Sequence, residues 1–281
     1  MSVSLLPPTA WDAGEFLWGE KTYVMAIINA TPDSFSCDGI AGSPDIAGDL
    51  ASTAMAHGAD VIDIGAESTR PGHQPIDANE ELTRLLPVLQ AVSVRVDVPI
   101  SVDTSKASVA DAALSAGASM VNDVRGFTKD PELAAVVAAH GVPAVIMHDV
   151  PSDGPGDLVT GIVRELSRRL DRAVAAGIAW ERIIVDPGFG FGKDWQQNLE
   201  LLRRLGELRV LGRPILVGTS RKGTIGRVLG LAEHDRVEGT AATVALAIAT
   251  GADIVRVHDV QAMVRVAQMS DAVIRGEPHR S

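Results

Sequence analysis

Asp103, Asn122 and Asp186 each stand directly after a short run of aliphatic residues. Two carboxylates and an amide can read the donor-rich edge of a heterocycle. A carboxylate accepts two hydrogen bonds from an amidine-like N–H pair, and an amide both donates and accepts. A general acid and base is the rival use of two such carboxylates. Helix N-capping accounts for any one of the three, and Asp103 before Thr104-Ser105 suits it; capping is a poor account of all three together.

Cations gather in a similar way. Gly65-Ala-Glu-Ser-Thr-Arg-Pro-Gly72 places a carboxylate, two hydroxyls and the guanidinium of Arg70 in one glycine-bounded loop. Arginine's planar fork suits an anion. Ser220-Arg221-Lys222 follows one aliphatic run, and Arg256-Val-His258 ends another. Together they could hold a phosphate, with Arg221 open between a site role and a structural one. Asn29-Ala-Thr-Pro-Asp-Ser-Phe-Ser36 reads as an active-site loop or as an ordinary turn. Asp186-Pro-Gly-Phe-Gly-Phe-Gly-Lys193 has glycines at alternate places, which permits close approach of backbone to a ligand. It is neither a dinucleotide fingerprint nor a Walker loop. The seven histidines show no zinc spacing. Magnesium, held mostly by substrate phosphates and one or two protein oxygens, is compatible.

Stepping along the chain, eight short aliphatic runs end at or carry these residues: Val24–Ile28, Val61–Ile64, Pro99–Val102, Met120–Val121, Pro143–Met147, Ile183–Val185, Pro214–Val217 and Ile254–Val257. Buried parallel strands look like this. Amphipathic helical spacing fills the intervals at Ile46–His57, Glu80–Val94, Val109–Ala116, Pro131–His140, Leu158–Ala176, Leu199–Val210, Thr240–Ala249 and Gln261–Ile274. Glycines such as Gly58, Gly117 and Gly251 close helices just before strands. The alternation predicts an α/β fold, a (β/α)8 TIM barrel, in preference to a doubly wound sheet with its five or six strands. The predicted organisation is one domain. Residues 1–20 form an extension over the bottom of the barrel, residues 21–276 the barrel, and residues 277–281 a tail.

Composition narrows the function classes. A net charge of −11 and 4% aromatic residues argue against nucleic acid or an anionic membrane as partner. The lack of a basic-then-apolar start and the single cysteine, Cys37, point to a cytoplasmic protein.

With these loops in place the chain resembles the dihydropteroate synthases, the folate-pathway enzymes inhibited by sulfonamides. NATPDSFS, ESTRPG, SVDTS, VNDV, DPGFGFGK, SRK and RVHDV occur in family order, from about Tyr23 to Val260. The resemblance implies a (β/α)8 barrel, usually a homodimer. It also implies a transfer of the dihydropterin-methyl group from 6-hydroxymethyl-7,8-dihydropterin diphosphate to para-aminobenzoate, with release of pyrophosphate and help from Mg²⁺. Carried over by motif, Asp103, Asn122, Met147, Asp186, Phe191 and Lys222 resemble the pterin pocket. Asn29, Arg70, Arg256 and His258 resemble the diphosphate site, with Asn29 toward the metal. Phe35, Thr69, Pro71 and Ser220 resemble the para-aminobenzoate pocket. Lys222, Asp38, Arg256 and Asp103 are the expected catalytic set. No nucleophile–His–acid triad is present, and an arylamine needs none. One departure concerns the first loop: Ser34-Phe35-Ser36-Cys37-Asp38-Gly39-Ile40 carries one residue more than the family's Ser-Phe-Ser-Asp-Gly-Gly, so Asp38 maps with a one-residue slip. Two rival functions share parts of the pattern: a methyltetrahydrofolate-binding barrel, which has no use for ESTRPG, SRK and RVHDV, and a pterin-binding paralogue without turnover.

Overall fold

A computed structural model describes residues 6–31, 43–68, 74–151 and 156–276. An antiparallel hairpin, β1 (Thr9–Trp11) and β2 (Gly14–Phe16), precedes eight parallel strands. These are β3 (Tyr23–Asn29), β4 (Val61–Gly65), β5 (Ile100–Asp103), β6 (Met120–Asp123), β7 (Ala144–Met147), β8 (Ile183–Asp186), β9 (Leu216–Val217) and β10 (Ile254–Val257). They lie in the order β8-β7-β6-β5-β4-β3-β10-β9. A bridge between Val185 and Ile215 brings β8 beside the β9 segment, so the sheet returns on itself as a (β/α)8 barrel. Pro214 has no N–H to give, and β9 is correspondingly the shortest strand.

Around the strands run α1 (Pro44–Ala56), α2 (Ala78–Ser93), α3 (Ala107–Ser115), α4 (Leu133–His140), α5 (Leu158–Ala175), α6 (Trp195–Arg203), α7 (Gly223–Leu229), α8 (Val237–Thr250) and α9 (Val260–Arg275). The interval expected as a single helix over Leu199–Val210 is α6 followed by a 3-10 stretch, Leu205–Leu211. Arg204 ends α6 and holds Asp157, Glu200 and Glu207 together at the break. The short helix α7 and the hairpin were not read from the sequence; three-residue strands and a two-turn helix carry too little periodicity to register. Among the described residues no helix is long and apolar enough to cross a membrane.

The strands alternate inward and outward side chains, and this sets the site. Outward residues such as Val24, Ala26, Ile62, Ile64 and Val121 pack under the helices. Inward residues Met25, Val61, Met120, Val145, Ile184, Leu216 and Ile254 form a separate apolar floor with Phe16 and Trp18 from the hairpin region. Trp18 donates its indole N–H to Thr9 Oγ1 at 3.0 Å, and Thr9 donates to the Glu181 carbonyl at 2.6 Å. The hairpin is thereby tied across the N-terminal end of the barrel. Two residues above the floor, the same inward face carries Asp63, Asn122, Met147, Asp186 and Arg256. Period-two alternation places the polar layer directly over the apolar one, at the end of the barrel where β/α enzymes work.

Candidate active site

Asp103 and Asn122 are ladder partners on β5 and β6, and Met147 and Asp186 on β7 and β8. Asp63, from β4, is fully buried at the centre of this layer. Its Oδ2 accepts from Arg256 Nε at 2.6 Å and from Asn122 Nδ2 at 3.1 Å. Arg256 Nη2 donates to Asp103 Oδ2 at 2.9 Å. Asp103 does not cap α3, whose N-cap is Lys106.

This network decides which atoms remain for a ligand. Asn122 gives its amino group to Asp63, which turns its Oδ1 outward as an acceptor. Asp186 Oδ1 accepts the Gly188 N–H at 2.7 Å, leaving Oδ2. Asp103 keeps Oδ1. None of these three oxygens is bonded to a described side chain, and together they form an acceptor array suited to a row of N–H groups.

Burial shapes the charges. Desolvation pushes the Asp186 carboxyl up to about 6, against the Gly188 N–H and the cations Lys222, Lys193 and Arg256. Desolvation also raises Asp103; Arg256 pulls it down, and Asp63 and Asp123 push it further up. For Arg256 burial works against the charge, but Asp63 and Asp103 outweigh it and its pKa rises.

Lys222 caps the start of α7, and its ammonium lies 4.1 Å from the centroid of the Phe191 ring. A half-buried cation over a ring face gains about 1 kcal/mol. Just before it, Arg221 takes φ +54°, a left-handed conformation rare outside glycine. Arg221 makes a two-pronged ion pair with Asp259, at 2.6 and 3.1 Å, and its carbonyl accepts from Arg236 Nη1 at 2.8 Å. These contacts hold the sharp turn from which Ser220 and Lys222 leave. Ser220 Oγ accepts the backbone N–H of His258 at 3.1 Å and lies 3.0 Å from His258 Nδ1.

The alternate glycines after β8 bring backbone close to protein rather than to open pocket. A Cβ on Gly188, at φ +71°, would stand 1.8 Å from the His148 carbonyl oxygen; one on Gly190, at φ +83°, would meet the Lys222 side chain at 3.0 Å.

Of the residues singled out from the sequence, Asp103, Asn122, Met147, Asp186, Phe191, Lys222, Ser220, Arg256 and His258 sit on β5–β10 and the connections leaving their C-terminal ends. Asn29, half-buried, ends β3 beside Gly65. Phe35, Asp38, Thr69, Arg70 and Pro71 lie outside the described residues. Two residues that bear on the site, Asp63 and Lys106, were assigned no role from the sequence. Asp63 is a carboxylate inside an aliphatic run, and a charge at such a place is itself a signal of a paired interior site. Lys106, after β5, bridges Glu67, two residues past β4, and the buried Glu81 of α2.

The chain matches the model of the family described as pterin binding enzyme over residues 25–258. It is 48% identical over 255 residues to a dihydropteroate synthase of Bacillus subtilis, covering 91% of this chain and 90% of that one. The chain belongs to the dihydropteroate synthase family of pterin-binding enzymes. Solved dihydropteroate synthases superpose closely. One from Clostridium difficile, determined in the presence of pteroic acid, gives a TM-score of 0.89 at 47% identity, covering 92% of this chain and 99% of that one. One from Xanthomonas albilineans, with 4-aminobenzoic acid, gives 0.85 at 42% identity, covering 90% and 93%.

Within this dihydropteroate synthase fold, Asp63 holds both Arg256 and Asn122, so its loss is expected to be severe. Asp63→Ala leaves Arg256 half-paired in a buried layer, at a cost of about 3–5 kcal/mol. Thermal denaturation should show a fall of roughly 10 °C in Tm; a change under about 2 °C would mean that water replaces the carboxylate without loss.

Proposed function

We propose that this chain joins the C6 methylene carbon of 6-hydroxymethyl-7,8-dihydropterin diphosphate to the amino nitrogen of para-aminobenzoate, releasing pyrophosphate and giving 7,8-dihydropteroate. The observation that carries this reading is the acceptor array of Asp103, Asn122 and Asp186 with the cation Lys222 beside it. A dihydropterin presents N–H groups along one side of its ring and a carbonyl on the other. Asp186 takes the 2-amino and ring N–H pair, Asn122 and Asp103 take further N–H groups, and Lys222 donates to the carbonyl side. Met147, buried next to Asp186 in the ladder, and the Phe191 ring wall the ring system.

The diphosphate falls to Asn29, Arg70, Arg256 and His258. Arg256 spends Nε and one Nη2 hydrogen on Asp63 and Asp103, so its Nη1 donors remain for an oxyanion. The arylamine falls to Ser220 with Phe35, Thr69 and Pro71. Asp38 takes the role of stabilising the developing positive charge. The carbon–oxygen bond to the diphosphate breaks, its electron pair leaving with pyrophosphate. The arylamine lone pair then forms the new carbon–nitrogen bond and the amine loses its proton. Fixed donors aimed at the leaving oxygens favour that departure. The para-amino nitrogen is already nucleophilic, so no strong base is required of the protein.

Among the described residues no cluster of three or more His, Cys, Asp or Glu could hold a metal ion. A substrate-carried Mg²⁺ needs less: it keeps waters and phosphate oxygens and takes one or two protein oxygens. The Asn29 amide oxygen fits that requirement, being half-exposed at a strand end and bonded to no described residue. When bound, Mg²⁺ spreads the charge of the diphosphate.

A homodimer also belongs to this reading. Val228, Leu229 and Leu246 leave apolar side chains about half exposed on α7 and α8, and Leu231 and Val237 lie between them. The reading takes the chain as one barrel domain, residues 21–276, acting on small molecules in the cytoplasm without a nucleic-acid or membrane partner.

The test is pyrophosphate release by the purified protein with Mg²⁺ and the dihydropterin diphosphate, with and without para-aminobenzoate. Release that requires the arylamine and yields dihydropteroate is the expected result. Pterin binding without release would overturn the reading in favour of a paralogue without turnover.

A further inference from the structure

Lys193 lies beyond the pterin-facing residues, yet its ammonium is fully used. Its Nζ lies 3.0 Å from His148 Nδ1, 3.1 Å from the Gly188 carbonyl oxygen and 2.9 Å from the Phe191 carbonyl oxygen. Three donors meet three acceptors, drawn from two different connections, the one after β7 and the one after β8. His148 is 3% exposed, and burial beside Lys193 and Arg169 pushes its imidazole down to about 3. The ring is therefore neutral, and Nδ1 offers a lone pair.

The carbonyls that Lys193 holds belong to residues that act on the proposed pterin pocket. Gly188 gives its N–H to Asp186 Oδ1. Phe191 carries the ring that lies against the Lys222 ammonium. The Phe191 N–H also returns to the Gly188 carbonyl at 3.0 Å, closing the turn around Lys193. On the β7 side, the His148 N–H donates to the Asp186 carbonyl oxygen at 2.9 Å. Asn198, 2% exposed on α6, accepts the Gly190 N–H at 2.7 Å and donates to the Lys193 and Asp194 carbonyls at 3.3 and 2.7 Å. The backbone on either side of Lys193 is thus independently held, and the ammonium adds a side-chain tie between the two connections beside the His148–Asp186 backbone bond.

We infer that Lys193 is a positioning residue for pterin recognition, tying the β7 and β8 connections so that the Asp186 carboxylate and the Phe191 ring stand at fixed places. This rests on the assignment of Asp186 and Phe191 to the pterin. It acts through those groups and touches neither substrate. Desolvation lowers the Lys193 ammonium to about 8, with Asp186 and Asp149 holding the charge and Arg169 opposing it. Its charge is then partly lost above neutrality, which gives the tie a pH signature.

The experiment compares the wild-type protein with Lys193→Met and His148→Leu. Binding of 6-hydroxymethyl-7,8-dihydropterin, the ring without its diphosphate, is measured by calorimetry, and KM is measured for each substrate at saturation of the other. Losing a charge-assisted tie is expected to weaken pterin binding about 10- to 100-fold in Lys193→Met. His148→Leu should lose less, in the same direction. KM for para-aminobenzoate should stay within about twofold in both, a split that a general loss of structure would not produce. Wild-type pterin affinity should also fall between pH 7 and 9 more steeply than that of Lys193→Met. Unchanged pterin binding in either variant that folds, or equal losses for both substrates, would overturn the inference. A wild-type protein that binds no pterin would overturn the functional reading beneath it.

Discussion

Asp186→Asn is expected to lower kcat/KM for the dihydropterin diphosphate about 100- to 1,000-fold while making the ligand-free protein more stable. The loss follows from what the carboxylate does for the ring. It offers a charged acceptor to a pair of N–H groups, and each such bond contributes about 1.5–3 kcal/mol. Asparagine keeps the shape but turns one acceptor into a donor, which faces the ligand's own N–H. The gain in stability follows from the same burial. With a folded pKa of about 6 against an ordinary 3.8, the folded protein holds more protons than the unfolded chain between those values. Stability contributed by this group is therefore present below the unfolded value and is lost as pH rises through about 6. A shift of that size corresponds to a penalty on the order of 3 kcal/mol at neutral pH, which asparagine removes. Binding runs the other way: the ring without its diphosphate should bind most tightly near pH 7 and weaken toward pH 4 as the Asp186 carboxylate takes up its proton. Steady-state kinetics, calorimetry of that ring and thermal denaturation over pH 4–8 read the three effects. Equal pterin affinity in the variant would remove Asp186 from the pocket.

Gly188→Ala is expected to be the most damaging single-methyl change in the loop after β8. The added Cβ would lie 1.8 Å from the His148 carbonyl oxygen, far inside contact distance, and the backbone sits at φ +71°. Both connections would have to separate, breaking the Lys193 tie and releasing the Gly188 N–H from Asp186. A cost of about 3 kcal/mol or more is expected, or roughly 6–12 °C in Tm. Gly117→Ala supplies the control. It too has positive φ, at +107°, but its Cβ would meet nothing within 4 Å. Conformational strain alone should cost that variant about 1–2 kcal/mol. Denaturation of the two variants side by side separates contact from strain. Similar losses would mean that the loop after β8 yields easily, and that its geometry is not what holds Asp186.

What the chain declares by itself is the barrel and the location of its working end. Eight aliphatic runs stopping at polar residues, with amphipathic intervals between, admit few other folds. Residues at or next to the end of a strand, such as Asp103, Asn122 and Asp186, are visible because the hydrophobic run stops where they begin. The motif series also made the family legible, because its seven motifs fall in order at the ends of seven of the eight strands.

Tertiary structure decided the rest. Asp63 lies inside its run, and only the inward register of β4 puts it above Val61 and beside Arg256 and Asn122. Arg221 and Lys222 are adjacent cations in sequence; a left-handed turn and Asp259 send the first into the scaffold and the second to Phe191. The glycines after β8 read alike as room for a ligand, yet Gly188 makes room for a neighbouring carbonyl and Gly190 for Lys222. Lys193 is one more lysine until two connections fold around its ammonium. The physical reason is common to all of these. Hydrophobic periodicity is a local property of the chain, whereas the pairing of buried polar groups depends on which strand ends the closed barrel brings together.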